Sequence, residues 1–316
     1  MTGQNVVTNP MSSFMKPVAG ILLAFAFVPR ASASASADEP EKKARAEVAS
    51  QKDADDSGWQ KVFRAMAAEY EIGAVEGPSK KFELRTTPVL RWSQPVRGGD
   101  DGAVYIWLDR GRPAVIGAIF AWPRDDGLRV VVHEMHAFTS APMHAAYKGS
   151  DVWVLEKPAL EFKRASGSAA PAASPAQRLA QMRTLGREFS ANSIDRNNRE
   201  WELRLLAQPL YRYELKDHPE LIDGAILAFV QGTDPEILLI LEACRDGDKS
   251  YWQYALARFS DFRLFVKYNG AEVWSVPNST FGDSKAPYFV RDVATRPPPE
   301  PAGEKSNPSR KPESSQ

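Results

Sequence analysis

Three of the chain's four histidines fall in one short stretch, VVVHEMHAFTSAPMH, running from Val130 to His144 and also holding Glu134. Imidazole and carboxylate groups this close together are common ligands of zinc and iron, and common general acids and bases. A helical zinc site of the HExxH kind needs histidines four apart on one face, with the glutamate beside the metal-bound water. Here the spelling is HEMH, one residue short. The segment is rich in valine and alternates, so it reads as a strand, on which neighbouring side chains point to opposite faces. His133 and Met135 then face one way. Glu134 and His136 face the other, with Val130, Val132 and Phe138. His144, past a bend at Pro142, could join Glu134 and His136 in a two-histidine, one-carboxylate set for a divalent metal. The competing reading is a row of ordinary half-buried polar positions, and no cofactor is favoured on sequence grounds.

A second candidate is Glu242 in ILLILEAC. A carboxyl on an otherwise apolar strand either has a raised pKa and serves as an acid, or is paired with an arginine. Other chemistries find little support. RDGDK from Arg245 is too short for a calcium loop and reads as a hairpin turn. No GxSxG elbow and no glycine-rich phosphate loop occurs, and Cys244, the single cysteine, has no histidine near it in sequence. Most of the eight tryptophans fall in expected strands, where they serve as core or as a surface on which sugars could stack.

The elements that must position these residues come in two similar runs. FELR at Phe82 recurs as WELR at Trp201, and DGAVYIW at Asp101 as DGAILAF at Asp223. Pro113 pairs with Pro235, Tyr147 with Tyr268, and Val152-Trp153 with Val273-Trp274. Order and spacing are nearly constant, which is the mark of an internal repeat. Opposite His133, Glu134, His136 and His144 the second run has Tyr254, Ala255, Ala257 and Phe265, so the shared fold does not itself require these four side chains. Each run opens with an amphipathic stretch. Ser57 would cap a helix burying Val62, Phe63, Met66 and Tyr70; Ser174-Pro175 would open one burying Leu179, Met182, Leu185 and Phe189. Short strands joined by turn-rich loops follow, and loops that short cannot make parallel crossovers. The expected class is therefore α+β: two tandem copies of a helix packed on an antiparallel β-sheet meander, at 57–164 and 175–295, with a flexible linker at 165–174.

Outside these blocks the composition changes. Val18 to Val28 is an uncharged run of eleven residues, too short to span a bilayer, and ASASASA after it offers small-x-small cleavage sites. Residues 1–37 thus read as a signal peptide, and the expected location is periplasmic or extracellular. Residues 38–56 are charged and alanine-rich, and 296–316 form a proline-rich polar tail; both compositions bury too little apolar surface to order themselves. Lys plus Arg equals Asp plus Glu at 40 each, with no basic tract among aromatics, so a nucleic-acid partner has no electrostatic support. No transmembrane helix is expected in the mature chain.

PVLRWSQPVRGG, GAVYIW, the HEMH segment, WELRLLAQPLYRYE, DGAILAFVQGTDPE and WQYALARFSDFRL through VWSVP resemble a group of exported proteins of planctomycete bacteria, over most of the chain from Trp59 to Pro277. The resemblance implies export and carries no activity, ligand or catalytic residue with it. The function expected from the sequence is a non-catalytic binding or structural protein of the cell envelope, with an envelope protein or glycan as partner. The alternative is a metal-dependent enzyme with its site at Glu134, His136 and His144.

Overall fold

The computed structural model describes residues 58–76, 81–94, 100–216 and 218–299. The leader expected at 1–37, the segment 38–56, the cap expected at Ser57 and residues 300–316 of the tail expected at 296–316 lie outside the described residues; of that tail's start, Arg296 is the last residue of a strand, Tyr288–Arg296.

Described elements run in the order α1 (Gly58–Ala68), β1 (Tyr70–Ala74), β2 (Glu83–Gln94), β3 (Asp100–Asp109), β4 (Arg112–Pro123), β5 (Arg129–Ala137), β6 (Met143–Tyr147) and β7 (Ser150–Leu155). After β8 (Lys163–Arg164) come α2 (Pro175–Gly186), β9 (Phe189–Ile194), β10 (Glu200–Leu205), β11 (Tyr211–Arg212), β12 (Leu221–Gln231) and β13 (Asp234–Asp246). The chain continues with β14 (Lys249–Arg258), β15 (Arg263–Tyr268), β16 (Ala271–Val276) and β17 (Tyr288–Arg296).

This corrects the α+β expectation. Strands account for 56% and helix for 10% of the structure, so the class is mostly β, built of large curled antiparallel sheets rather than tandem helix-on-sheet units. The two helices are short, and the apolar periodicity that lengthened them on paper runs into the following strands: Tyr70 and Phe189 belong to β1 and β9. Nor are the sheets simple meanders. The first half gives a sheet β1-β6-β7 and a sheet β17-β5-β4-β3-β2; the second gives β16-β15-β9-β10-β12-β13-β14-β8. β1 and β9 therefore each turn back to pair with a strand far along the chain, β6 and β15.

Pairing in the two halves follows one pattern. Asp101 lies opposite Ala121, and Asp223 opposite Ala243. Both hairpins slip register at the same place, beside Pro113 and Pro235. A one-residue slip elsewhere would flip every later side chain to the other face, so the shared irregularity keeps the two patterns in phase. Glycine serves the same purpose at Gly102 and Gly224, where a Cβ would strike the rings of Trp92 and Tyr213. The halves also exchange edges. β8, which follows the first half, extends the second sheet along β14; β17, which follows the second half, extends the first sheet along β5. The stretch 165–174 is bonded to the second half along its length: Ala165 donates to the Trp252 carbonyl, and the carbonyls of Ala172 and Ala173 accept from Arg178 in α2.

Strands of both halves share one apolar layer, with Val104, Ile106, Ile116 and Ala118 meeting Ile226, Ala228, Leu238 and Ile240. Alternate residues on the opposite faces pack with Phe63 and Ala67 of α1 in the first half, and with Met182 and Leu185 of α2 in the second. β13 is buried on both faces, which explains its unbroken ILLIL run. At the seam, Gly111 has φ +83 and its missing Cβ would stand 1.8 Å from the Glu214 carbonyl. Only glycine permits that approach, which lets Gly111 O accept from the amide of Glu214.

Candidate functional site

β5 alternates as its sequence requires. Met135 and His133 turn into the core under α1, and Glu134 and His136 turn to the opposite face. His133 is fully buried and shares a 2.7 Å hydrogen bond with the hydroxyl of Tyr70 through Nδ1. Its ring packs with Tyr70 and Tyr147 at centroid distances of 5.4 and 5.1 Å. In the second half Phe189, Tyr254 and Tyr268 make the corresponding ring cluster, with centroids 4.5 to 5.6 Å apart. His133 thus fills a ring position in the core. Burial, assisted by the charges of Arg291 and Lys148, pushes it down to about 3, so it stays neutral.

Glu134 and His136 share a face and are both covered by a strand that the sequence did not reveal. β17 lies along β5 with Tyr288 opposite His136 and Val290 opposite Glu134. The Tyr288 hydroxyl donates to Glu134 Oε1. Burial holds the Glu134 carboxyl well above the usual range; the Tyr288 bond opposes this, and the charges of Asp234, Glu236 and Asp261 add to it. Tyr288 is likewise raised, by burial first and then by Glu134. His136 donates from Nδ1 to the Ala137 carbonyl at 2.8 Å, which fixes the tautomer and leaves Nε2 as an acceptor. Burial brings it down to about 4, the carbonyl partly offsetting this and Arg258 reinforcing it. The Arg258 guanidinium stacks over the Tyr288 ring at 4.9 Å and donates to the carbonyls of Ser260, Phe262 and Pro277.

His144 does not join this group. It is exposed on β6, opposite Gly73 and Val154 in a different sheet. Among the described residues no three His, Cys, Asp or Glu side chains are placed to hold a metal ion. Glu242, the other candidate, is fully buried and paired with an arginine from the opposite half. Arg112 donates to its Oε1 from Nε at 2.9 Å and Nη2 at 2.8 Å, Tyr213 adds a bond at 3.1 Å, and Gln253 bonds Oε2 at 2.9 Å. With both oxygens satisfied and water excluded, Glu242 ties the two halves together, and its bonded oxygens face no cavity a substrate could enter among the described residues. Its neighbour Cys244 is pushed up to about 12 by burial and then by Glu242, and stays a thiol.

Two cavities flank Tyr288. One, of about 340 Å³, is lined by His136, Arg258, Lys163, Trp274 and Tyr288. The other, of about 440 Å³, lies where β4, β5, β13 and β17 meet, and includes Trp122, Glu134, Asp234, Glu236, Phe281 and Tyr288. Trp122 and Phe281 are 44% and 49% exposed, two of the four large apolar side chains left open to solvent among the described residues. The sequence pointed to Glu134 and His136 and missed Tyr288, Arg258 and Phe281. The signal available was the alternation in YFVRDVATR, which marks a strand, although nothing local says which sheet it joins.

Comparison with family models, with curated proteins and with solved structures gives no match. No helix among the described residues is long and apolar enough to cross a membrane.

Proposed function

We propose that the protein is an exported binding protein that performs no chemistry of its own and takes a small ligand in the cleft bounded by Trp122, Phe281 and Tyr288. One observation carries this reading: the exposed aromatic faces of Trp122 and Phe281 sit on the rim of a cavity of small-ligand size instead of being scattered over the surface. The groups below that rim suit recognition better than catalysis. Glu134 is bonded by Tyr288 and biased by burial toward its neutral form, and His136, neutral and fixed by the Ala137 carbonyl, lines the other cavity. Export rests on the leader at 1–37, and the resemblance to exported planctomycete proteins supports it.

A thermal-shift screen of the mature protein against oligosaccharides, amines and short peptides tests the reading. A ligand that binds only the folded state raises the midpoint with concentration, and Trp122→Ala should abolish that rise. A flat response across all three classes, or a rise that Trp122→Ala leaves unchanged, contradicts it. Reproducible hydrolysis of ester, peptide, phosphate or glycoside substrates that disappears in Glu134→Gln would overturn the non-catalytic part.

A further inference from the structure

We infer that the cavity on the His136 side of Tyr288 is a second binding site, for a small organic acid that carries an apolar body and a hydroxyl group. It lies across Tyr288 from the cleft at Trp122 and does not depend on the binding reading proposed there. Five strands meet around its 340 Å³ or so: His136 comes from β5, Lys163 from β8, Tyr254 and Arg258 from β14, Trp274 from β16 and Tyr288 from β17. Two of these side chains are almost wholly buried and yet incompletely bonded. His136 is 5% exposed and Tyr254 4%. The hydrogen bond of His136 runs from Nδ1 to Ala137; Tyr254 makes ring contacts with Phe189 and Tyr268, but its hydroxyl has no hydrogen-bond partner among the described residues. Neither His136 Nε2 nor the Tyr254 hydroxyl is sealed from solvent, so the little surface each keeps gives onto the cavity that both residues line. Polar atoms held this way are costly to leave unmet, and a ligand that meets them gains accordingly.

The groups present select the ligand. Nδ1 of His136 carries the ring proton, so Nε2 accepts, and with the pKa brought down to about 4 the ring stays neutral at pH 7. Tyr254 supplies a donor. A hydroxyl group answers both, since it donates once and accepts twice, whereas an ammonium cannot accept. Charge calls for the acid. Arg258 directs its bonds to the carbonyls of Ser260, Phe262 and Pro277, and Lys163 to that of Val273, so neither cation is ion-paired with a carboxylate among the described residues. The carboxylates that act on Arg258 from further off are engaged elsewhere, Asp261 by Arg196 and Glu134 by Tyr288. Glu161 also lines the cavity, but it and Lys163 are both exposed and offset each other at the mouth, which leaves the half-buried Arg258 as the deciding charge. A cation partly withdrawn from water and without a counter-ion attracts an anion more strongly than one in open solvent. The rest of the wall is apolar, formed by Leu256, Val273, Trp274 and Val276, and the volume is that of a site for a small ligand.

Isothermal titration of the mature chain at pH 7 with three probes tests this: 3-phenyllactate, which has both groups, 3-phenylpropionate, which lacks the hydroxyl, and 3-phenylpropane-1,2-diol, which lacks the charge. Phenyllactate should bind, and each of the others should bind at least about tenfold more weakly. His136→Leu should remove the advantage of phenyllactate over phenylpropionate and leave phenylpropionate itself unchanged. Lys163→Gln should weaken both acids without affecting the diol. A loss of structure would weaken every probe alike, so these selective changes separate lost contacts from lost fold. Trp122→Ala, at the other cleft, should leave all three affinities as they are. Equal binding of phenyllactate and the diol overturns the acid, and equal binding of phenyllactate and phenylpropionate overturns the hydroxyl. Binding lost in Trp122→Ala places the probe in the other cleft and overturns the second site. Silence from all three probes overturns it too, and leaves the reading of the Trp122 cleft standing.

Discussion

Glu134 and His136 sit side by side on one strand face, and burial acts on them in opposite senses. For Glu134 the folded value is raised above the unfolded one of about 4.3. Its contribution to stability is complete below that value and is lost as pH rises through the folded value. Glu134→Gln keeps the shape and an acceptor for Tyr288 but cannot ionise. Its unfolding midpoint should match wild type near pH 4 and exceed it at pH 7 to 8; an equal gap at every pH would mean that ionisation is not the cause. The histidines run the other way. Their folded values, about 3 for His133 and about 4 for His136, lie below the unfolded 6.5. The stability they contribute is complete above 6.5 and disappears as pH falls toward those values. Each steepens the acid limb by up to about 1.4 kcal/mol per pH unit. His136→Gln should flatten urea-derived stability between pH 6 and 4 by about that slope, and an unchanged slope would show that His136 is already charged in the folded protein.

At the scale of elements, the exchanged edge strands decide where the site lies. β17 supplies Tyr288 and Asp292 and covers the free edge of β5, leaving His136 and Glu134 paired on both sides. A chain ended at Ala286 should expose that edge, lose stability in the first half before the second, and aggregate through unpaired strand groups. Hydrogen exchange would show it as rapid exchange confined to β5 and β4; uniform exchange over both halves would argue that β17 is dispensable. The same elements show how far the sequence could be read. β3, β4 and their counterparts β12 and β13 announced themselves through apolar runs, matched sequence and matched prolines, and both hairpins slip register beside those prolines, Pro113 and Pro235. The facing of Glu134 and His136 followed from a period of two. What stayed hidden was pairing across long sequence separations: β1 with β6, β9 with β15, and β17 with β5. The apolar positions around Phe63 and Met182 were legible, but the helices proved short because their periodicity carried on into strands, and that error turned a mostly β protein into an α+β one. The metal set failed for a related reason, since spacing along the chain said nothing of β6 joining a different sheet from β5.

For the molecule as a whole, the apolar layer shared by the halves and the Arg112–Glu242 pair within it should make unfolding cooperative. Glu242→Ala leaves the half-buried Arg112 guanidinium without its partner and should cost about 3 kcal/mol, whereas replacing Arg112 and Glu242 together with leucine should cost far less. Chemical denaturation of the two variants checks this, and equal losses would mean that the pair itself, not the stranded charge, carries the stability. The central claim is that a ligand is held between the halves at the aromatic rim beside Tyr288. Fluorine NMR of protein labelled with 5-fluorotryptophan tests it most directly, with the Trp122 resonance assigned from Trp122→Phe and, as the titrant, the oligosaccharide, amine or short peptide that most raises the midpoint in the thermal-shift screen. The Trp122 signal should move in a saturable way while those of the buried Trp107 and Trp153 stay fixed. A saturable shift at Trp274, on the other side of Tyr288, with Trp122 unmoved, or no shift at any tryptophan, would contradict it.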